Sequence, residues 1–418
     1  MKLFHFFAVF ALCTSGSYAQ SGDDSAFFEK YGSTFETPSA IPAKSFVPAS
    51  ALSGSLHSVR PLTYNDGLRN TYFVDTGTGV MEVTGTPLLL QRIRELYAID
   101  YLRGVSRAGE FGKAIASAGR AKLESVGSLL NDPIGAVKNV PRGASRFFGR
   151  IGEGSKGGKG TTEDNGLKDL LGVTKAKVQL AAKLGVDPYS TNQELQQELT
   201  GVARAMAGGG LAVDLGSSVA TGGAGVALTV IGANQTLQDV LTNSTPEDLR
   251  ILNRKKLFAL GVDRPLADEF LMHPWFSPWH ETIITDALSR IGVDPTAYLT
   301  SAVRALTAED AFFFQRTAQL LLAYHANAAP LRAIRLNGGI ITALDNNGIL
   351  VAPVSLDYAI WNESTARRAE EFMAIDHDSE LIKGLALWTD GQLSDQLCEE
   401  LKKRRIVWRM NALGAAGN

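Results

Sequence analysis

Near residue 330 the apolar residues of this 418-residue chain change their spacing from the 3.6-residue period of helices to the 2-residue period of strands. Two kinds of packing are therefore required in one polypeptide, and the chain falls in the α+β class. Upstream, over 167–330, one punctuation recurs: Leu184-Gly-Val-Asp-Pro188, Leu260-Gly-Val-Asp-Arg264 and Ile291-Gly-Val-Asp-Pro295. The glycine suits the left-handed position that closes a helix, and the valine can pack back on the last turn. The aspartate can cap the next helix and proline suits its first turn. Thr191-x-x-Glu194, Thr245-x-x-Asp248 and Thr307-x-x-Asp310 read as capping boxes. This stretch is expected to be a mostly α-helical central domain.

Downstream, over 331–413, the order reads β-β-β-α-β-α-β, a hairpin joined to a right-handed crossover. Strands are expected at Ala333-Ile-Arg-Leu336, at Gly339-Ile-Ile-Thr-Ala-Leu344, from Ile349 to near Trp361, at Leu385-Ala-Leu-Trp388 and at Ile406-Val-Trp408. Helices are expected over 364–373 and 394–403, giving a small C-terminal α/β domain. Near the other end, Thr71-Tyr-Phe-Val74 and Val80-Met-Glu-Val83 flank a Gly-containing loop and read as a short N-terminal β-hairpin. Pro87 then opens a helix over 88–103.

The first residues have the pattern of a secretory signal. Lys2 precedes an apolar run over 3–13, and Ser17-Tyr18-Ala19 offers small residues for cleavage before Gln20. The boundaries expected are a signal peptide at 1–19, a Ser/Pro/Ala/Gly-rich tail at 20–55 and the hairpin with its helix at 56–103. A Gly/Ser-rich basic region at 104–166 follows, then the helical domain at 167–330 and the α/β domain at 331–413. The reading places the protein in the periplasm, on the cell envelope or outside the cell. Loss of Cys13 with the signal would leave Cys398 as the one cysteine, so no intrachain disulfide is expected. Leu397 and Leu401 put Cys398 on the apolar stripe of a helix.

Two segments bear on membranes. Between 104 and 177 there are thirteen Lys and Arg residues against seven Asp and Glu, in a chain whose net charge is -2. Arg142, Arg146, Phe147, Phe148 and Arg150 combine cations with aromatic rings and could lie on an anionic lipid surface. The segment 215–238 carries no charge and is rich in Gly, Ala, Val and Thr, which suits tight helix packing or insertion into a bilayer.

Catalytic motifs are missing from the sequence. There is no G-x-S-x-G, and the glycine-rich stretches at 207–210 and 221–225 lack the Gly-Lys-Ser/Thr of a phosphate loop. The densest constellation is His273-Pro-Trp-Phe-Ser-Pro-Trp-His280-Glu281, where His273, Trp275, Trp279, His280 and Glu281 could line a ligand site. Ile284 occupies the place where H-E-x-x-H needs its second histidine, so no metal site is expected there. Asp376-His377-Asp378 reads as an exposed polar link. No cofactor and no nucleic acid is expected.

A helix followed by three strands, a helix and a strand over about 310–410 is similar to the core of restriction-endonuclease-like folds. That family carries an acid on the second strand and acid-x-Lys on the third. Here the third strand reads Val351-Ala-Pro-Val354 without lysine, so the resemblance implies a non-catalytic relative. The expected function is that of an exported, non-catalytic periplasmic or envelope-associated protein, with an envelope protein or an anionic membrane surface as partner. The alternatives are an exported hydrolase or ligand-binding protein with its site at 273–281, and a membrane-inserting protein acting through 215–238.

Overall fold

The computed structural model describes residues 32–107, 162–207, 235–375 and 382–414. The signal at 1–19, the Arg142–Arg150 cluster, most of 215–238 and Asp376-His377-Asp378 lie outside the described residues. The chain forms two compact units, one from Met1–Ile93 with Leu249–Ala416 and one from Arg94–Asp248. The helical stretch at 167–330 is shared between them and divides at Leu249.

The first unit begins with an antiparallel sheet of β1 (Ala40–Pro42), β2 (His57–Val59), β3 (Leu62–Asn65), β4 (Asn70–Thr76) and β5 (Gly79–Thr84). The expected hairpin is the β4–β5 pair, in register from Thr76 opposite Gly79 to Thr71 opposite Thr84. β2 and β3 follow one another along the other edge of β4, and β1 pairs with β3. These additional strands are three or four residues long and broken by Pro42, Pro48 and Pro61, too short to show alternation in sequence. Tyr72 and Val74 point inward and are fully buried.

Helix α1 (Thr86–Arg107) crosses the boundary between the units. The second unit adds α2 (Thr162–Leu184), α3 (Gln193–Ala207) and α4 (Gln235–Asn243). Its core joins Ala98 and Leu102 of α1 to Leu180, Leu184, Leu195 and Leu199. Gly185, with φ +67°, closes α2 as the sequence suggests. At the start of α3, Asn192 Oδ1 accepts the Leu195 N–H at 3.3 Å.

The chain returns through α5 (Pro246–Ala259) and continues in the first unit with α6 (Arg264–Leu271), α7 (Pro278–Ile291), α8 (Thr296–Ala302) and α9 (Ala308–Asn327). Gly261 and Gly292 hold φ of +88° and +74° at the expected helix ends. Thr307 and Asp310 form the expected capping box.

After α9 the sheet comes from β6 (Leu331–Asn337), β7 (Ile340–Asp345) and β8 (Ile349–Val354), then β9 (Tyr358–Ala359) and α10 (Glu363–Met373). β10 (Gly384–Thr389), β11 (Gln392–Leu393), α11 (Asp395–Lys403) and β12 (Ile406–Arg409) follow. The order across the five-stranded sheet is β12-β10-β8-β7-β6. β6–β7 and β7–β8 are antiparallel, while β8–β10 and β10–β12 are parallel. The third strand stops at Val354, short of Trp361, and β9 then pairs in parallel with β11. Trp361 is instead a core residue, fully buried with Leu397, Leu401 and Phe372. Cys398 is half-buried and packs against the same core. The molecule is α+β, with an N-terminal sheet, a helical middle and a C-terminal α/β sheet.

Candidate functional site

The turn between α6 and α7 carries the five candidate residues, and the structure divides them between core and surface. Met272 ends α6, donating its N–H to the Asp268 carbonyl at 3.0 Å. Ser277 is the N-cap of α7, and Pro278 takes the first helical position. Ser277 Oγ accepts the His280 N–H at 3.2 Å, and His280 Nδ1 accepts the Ser277 N–H at 3.4 Å. This reciprocal box, carried by Ser277-Pro278-x-His280, has histidine in the place usual for Glu or Gln.

Burial does the rest of the sorting. Trp279 is 1% exposed and Glu281 is fully buried. The His280 ring meets Phe312 edge-on at 4.8 Å, and Phe276 packs on Phe270 at 5.2 Å. Trp279, His280 and Glu281 therefore face the helical core. His273 is half-buried, and Trp275 is 37% exposed on the outside of the turn. The five side chains do not converge on an open cavity.

The two histidines grip the backbone of Trp275. His273 Nδ1 accepts the Trp275 N–H at 3.4 Å, and the His273 ring also bonds the Val303 backbone. The Trp275 backbone also lies against the His280 ring and favours its charged form, against the effect of burial. With Nδ1 accepting in each ring, the remaining ring nitrogen is the donor, so each histidine is neutral. Burial pushes the pKa of His280 down to about 4. Burial also lowers that of His273, against the Val303 bond and the nearby Glu269 charge.

Glu281 lies one residue on and behaves in the opposite way. Burial pushes its carboxyl up to about 8, and Arg250 on α5 pulls it back in part. The closest approach is 3.8 Å from Arg250 Nε, and neither carboxyl oxygen has a hydrogen bond within the protein. Beside it, Asn253 donates to Thr282 Oγ1 at 2.9 Å, tying α5 to α7. Glu281 is enclosed, with its carboxyl pushed up by burial, and both histidines are committed to backbone amides. What this turn presents to solvent is apolar: Met272 is 70% exposed, next to the exposed Pro274 and Trp275.

Other polar clusters are spent on the fold. A cleft of about 610 Å³ lies at the C-terminal ends of α10 and α11. Its Arg404 binds Glu370 at 3.1 Å and Glu400 at 2.6 Å, and Lys403 also binds Glu400. Asp345 ends β7 rather than falling in the turn after it. It accepts the Tyr324 hydroxyl at 2.8 Å and the amides of Asn347 and Ile349. This acid at the end of the second strand of the sheet therefore serves the hairpin turn. Among the described residues no group of three or more His, Cys, Asp or Glu side chains could hold a metal ion.

No family model, curated protein or solved structure matches this chain. The site must be read from its own geometry. A second apolar exposure lies on the N-terminal sheet, where Leu62, Tyr64 and Val80 are largely exposed and Tyr64 meets Phe73 at 6.0 Å. None of the described helices is long and apolar enough to cross a membrane.

Proposed function

We propose that the chain is an exported, non-catalytic protein of the periplasm or cell envelope that works through surface contacts. The observation that carries this reading is the α6–α7 turn. It holds Met272 and Trp275 out to solvent on a backbone fastened from inside by His273 and His280. A large apolar side chain held rigidly at a surface loses little conformational entropy on binding, which is the property of a contact anchor. Export rests on the apolar run at 3–13 and the small residues before Gln20.

The ligand-binding alternative at 273–281 would need Trp279, His280 and Glu281 to line an opening, and all three face the core. Cell fractionation of the native chain and of a Met272→Ser/Trp275→Ser variant tests the reading. The native chain should enter the envelope fraction, or an assembly with another envelope protein, and the variant should leave it while remaining folded. Equal partitioning of the two would rule the turn out as the contact.

A further inference from the structure

We infer that His273 and His280 form an acid-sensitive latch that holds the Trp275 turn in display when both rings are neutral and releases it when either takes a proton. The inference rests on the contact reading above and supplies its regulation. One ring holds each of two amides: the Trp275 N–H goes to His273 Nδ1 and the Ser277 N–H goes to His280 Nδ1. The His280 contact with the Trp275 backbone favours the charged ring and is not what protonation breaks. A proton on Nδ1 turns an acceptor into a donor facing an N–H, so protonation breaks the bond that holds the turn. For His280 it also puts a charge in a buried site beside Phe312, which the capped conformation cannot solvate.

The charged groups around the turn leave that step uncompensated. Glu269 on α6 favours the charged form of His273, and burial outweighs it. Glu281 on α7 is itself held neutral, and Arg250 on α5 faces Glu281. Asp310 on α9 is engaged by the amides of Leu306 and Thr307. Among the described residues no acid is hydrogen-bonded to either ring. His280 keeps its proton off down to about pH 4, against 6.5 for a free ring, so opening should grow about tenfold per pH unit across that window. An exported protein meets the pH of its surroundings directly, which gives such a latch something to sense.

Amide hydrogen exchange on the isolated full chain, resolved to residues 272–278 and corrected for the intrinsic acid dependence, tests the latch. Protection of Trp275 and Ser277 should fall about tenfold per pH unit below 6.5, with α9 unchanged. It should stay flat in a His273→Asn/His280→Gln variant, whose amides accept and donate without titrating. Flat protection in the native chain down to pH 4.5 would overturn the proposal. If the variant does not fold, ring 15N shifts of the native histidines decide. Neutral rings with Nδ1 unprotonated at pH 7, charging as protection falls, support the latch, and charged rings at pH 7 refute it. None of these readouts needs a partner, so the latch can fail while the Met272→Ser/Trp275→Ser fractionation still holds, and the reverse.

Discussion

His280 bonds the backbone of Trp275 from within the core, so a buried residue sets the position of an exposed one five places earlier in the chain. Its neighbour Glu281 is buried as well, and the two titrate in opposing directions.

Their opposition fixes a pH profile. Glu281 has a folded pKa of about 8 against 4.5 when free, so its stability contribution is full below pH 4.5 and is lost as the pH rises to 8. His280 has a folded pKa of about 4 against 6.5, so stability is full above 6.5 and is lost as the pH falls to 4. Between pH 4.5 and 6.5 the slopes cancel, and from 6.5 to 8 the Glu281 slope stands alone, at about 1.4 kcal/mol per pH unit. Urea unfolding of the native chain and of Glu281→Gln at pH 5, 7 and 8.5 should show the alkaline decline only in the native chain. Parallel profiles would show that Glu281 is not neutral in the fold.

Asp357, on the turn after β8, ties two distant starts of structure together. One carboxylate oxygen accepts the Asn70 N–H at 2.8 Å, at the head of β4, and the other accepts the Thr86 N–H at 2.8 Å, at the head of α1. Asp357→Ala leaves the buried Asn70 amide and the part-buried Thr86 amide without their acceptor, a loss of roughly 2–4 kcal/mol. Denaturant titration measures it, and a change under about 1 kcal/mol would mean that other groups take over both amides.

Arg405 follows α11 with φ of +56°, the left-handed region where a non-glycine side chain is strained. Arg405→Gly should raise stability by about 0.5–1 kcal/mol, the steric relief exceeding the entropy that glycine adds to the unfolded chain. Calorimetry would read this as a small increase in Tm. A decrease would mean that the arginine side chain holds something worth more than the strain.

In the second unit, Glu95 of α1 is fully buried and accepts Ser190 Oγ at 2.5 Å and Asn192 Nδ2 at 3.0 Å. Glu95→Ala should lower amide protection over 193–199 in α3, where Asn192 is the cap. It should leave β8, β10 and β12 unaffected, because Glu95, Ser190 and Asn192 all belong to the second unit. Equal loss in both would show that they unfold as one.

Much of the architecture was legible in local patterns. Gly185, Gly261 and Gly292 mark helix ends because a left-handed residue is a one-position requirement. Thr307 and Asp310 meet three residues apart, so their box needs no distant partner. After 331 the main strands and helices followed from the change of period, whereas the two-residue β9 and β11 are too short to carry one. The Asn192 bond to the Leu195 N–H was not singled out by the sequence, because Thr191 beside it has capping chemistry as well.

The candidate site was legible in composition and not in arrangement. Sequence drew attention to 273–281, but the same aromatic and titratable residues could equally have lined a cavity. Their inward and outward sorting depends on where Phe312 of α9 and Arg250 of α5 arrive, tens of residues away in the chain. Asp357 meets Asn70 across 287 residues, and no local period records such a pairing. Caps, helix limits and strand alternation were determined by the sequence itself, because they depend on neighbours within one turn. Burial, the neutral state of Glu281 and the two-sided grip on Trp275 were decided by tertiary structure, because desolvation comes from groups that only the folded chain brings together.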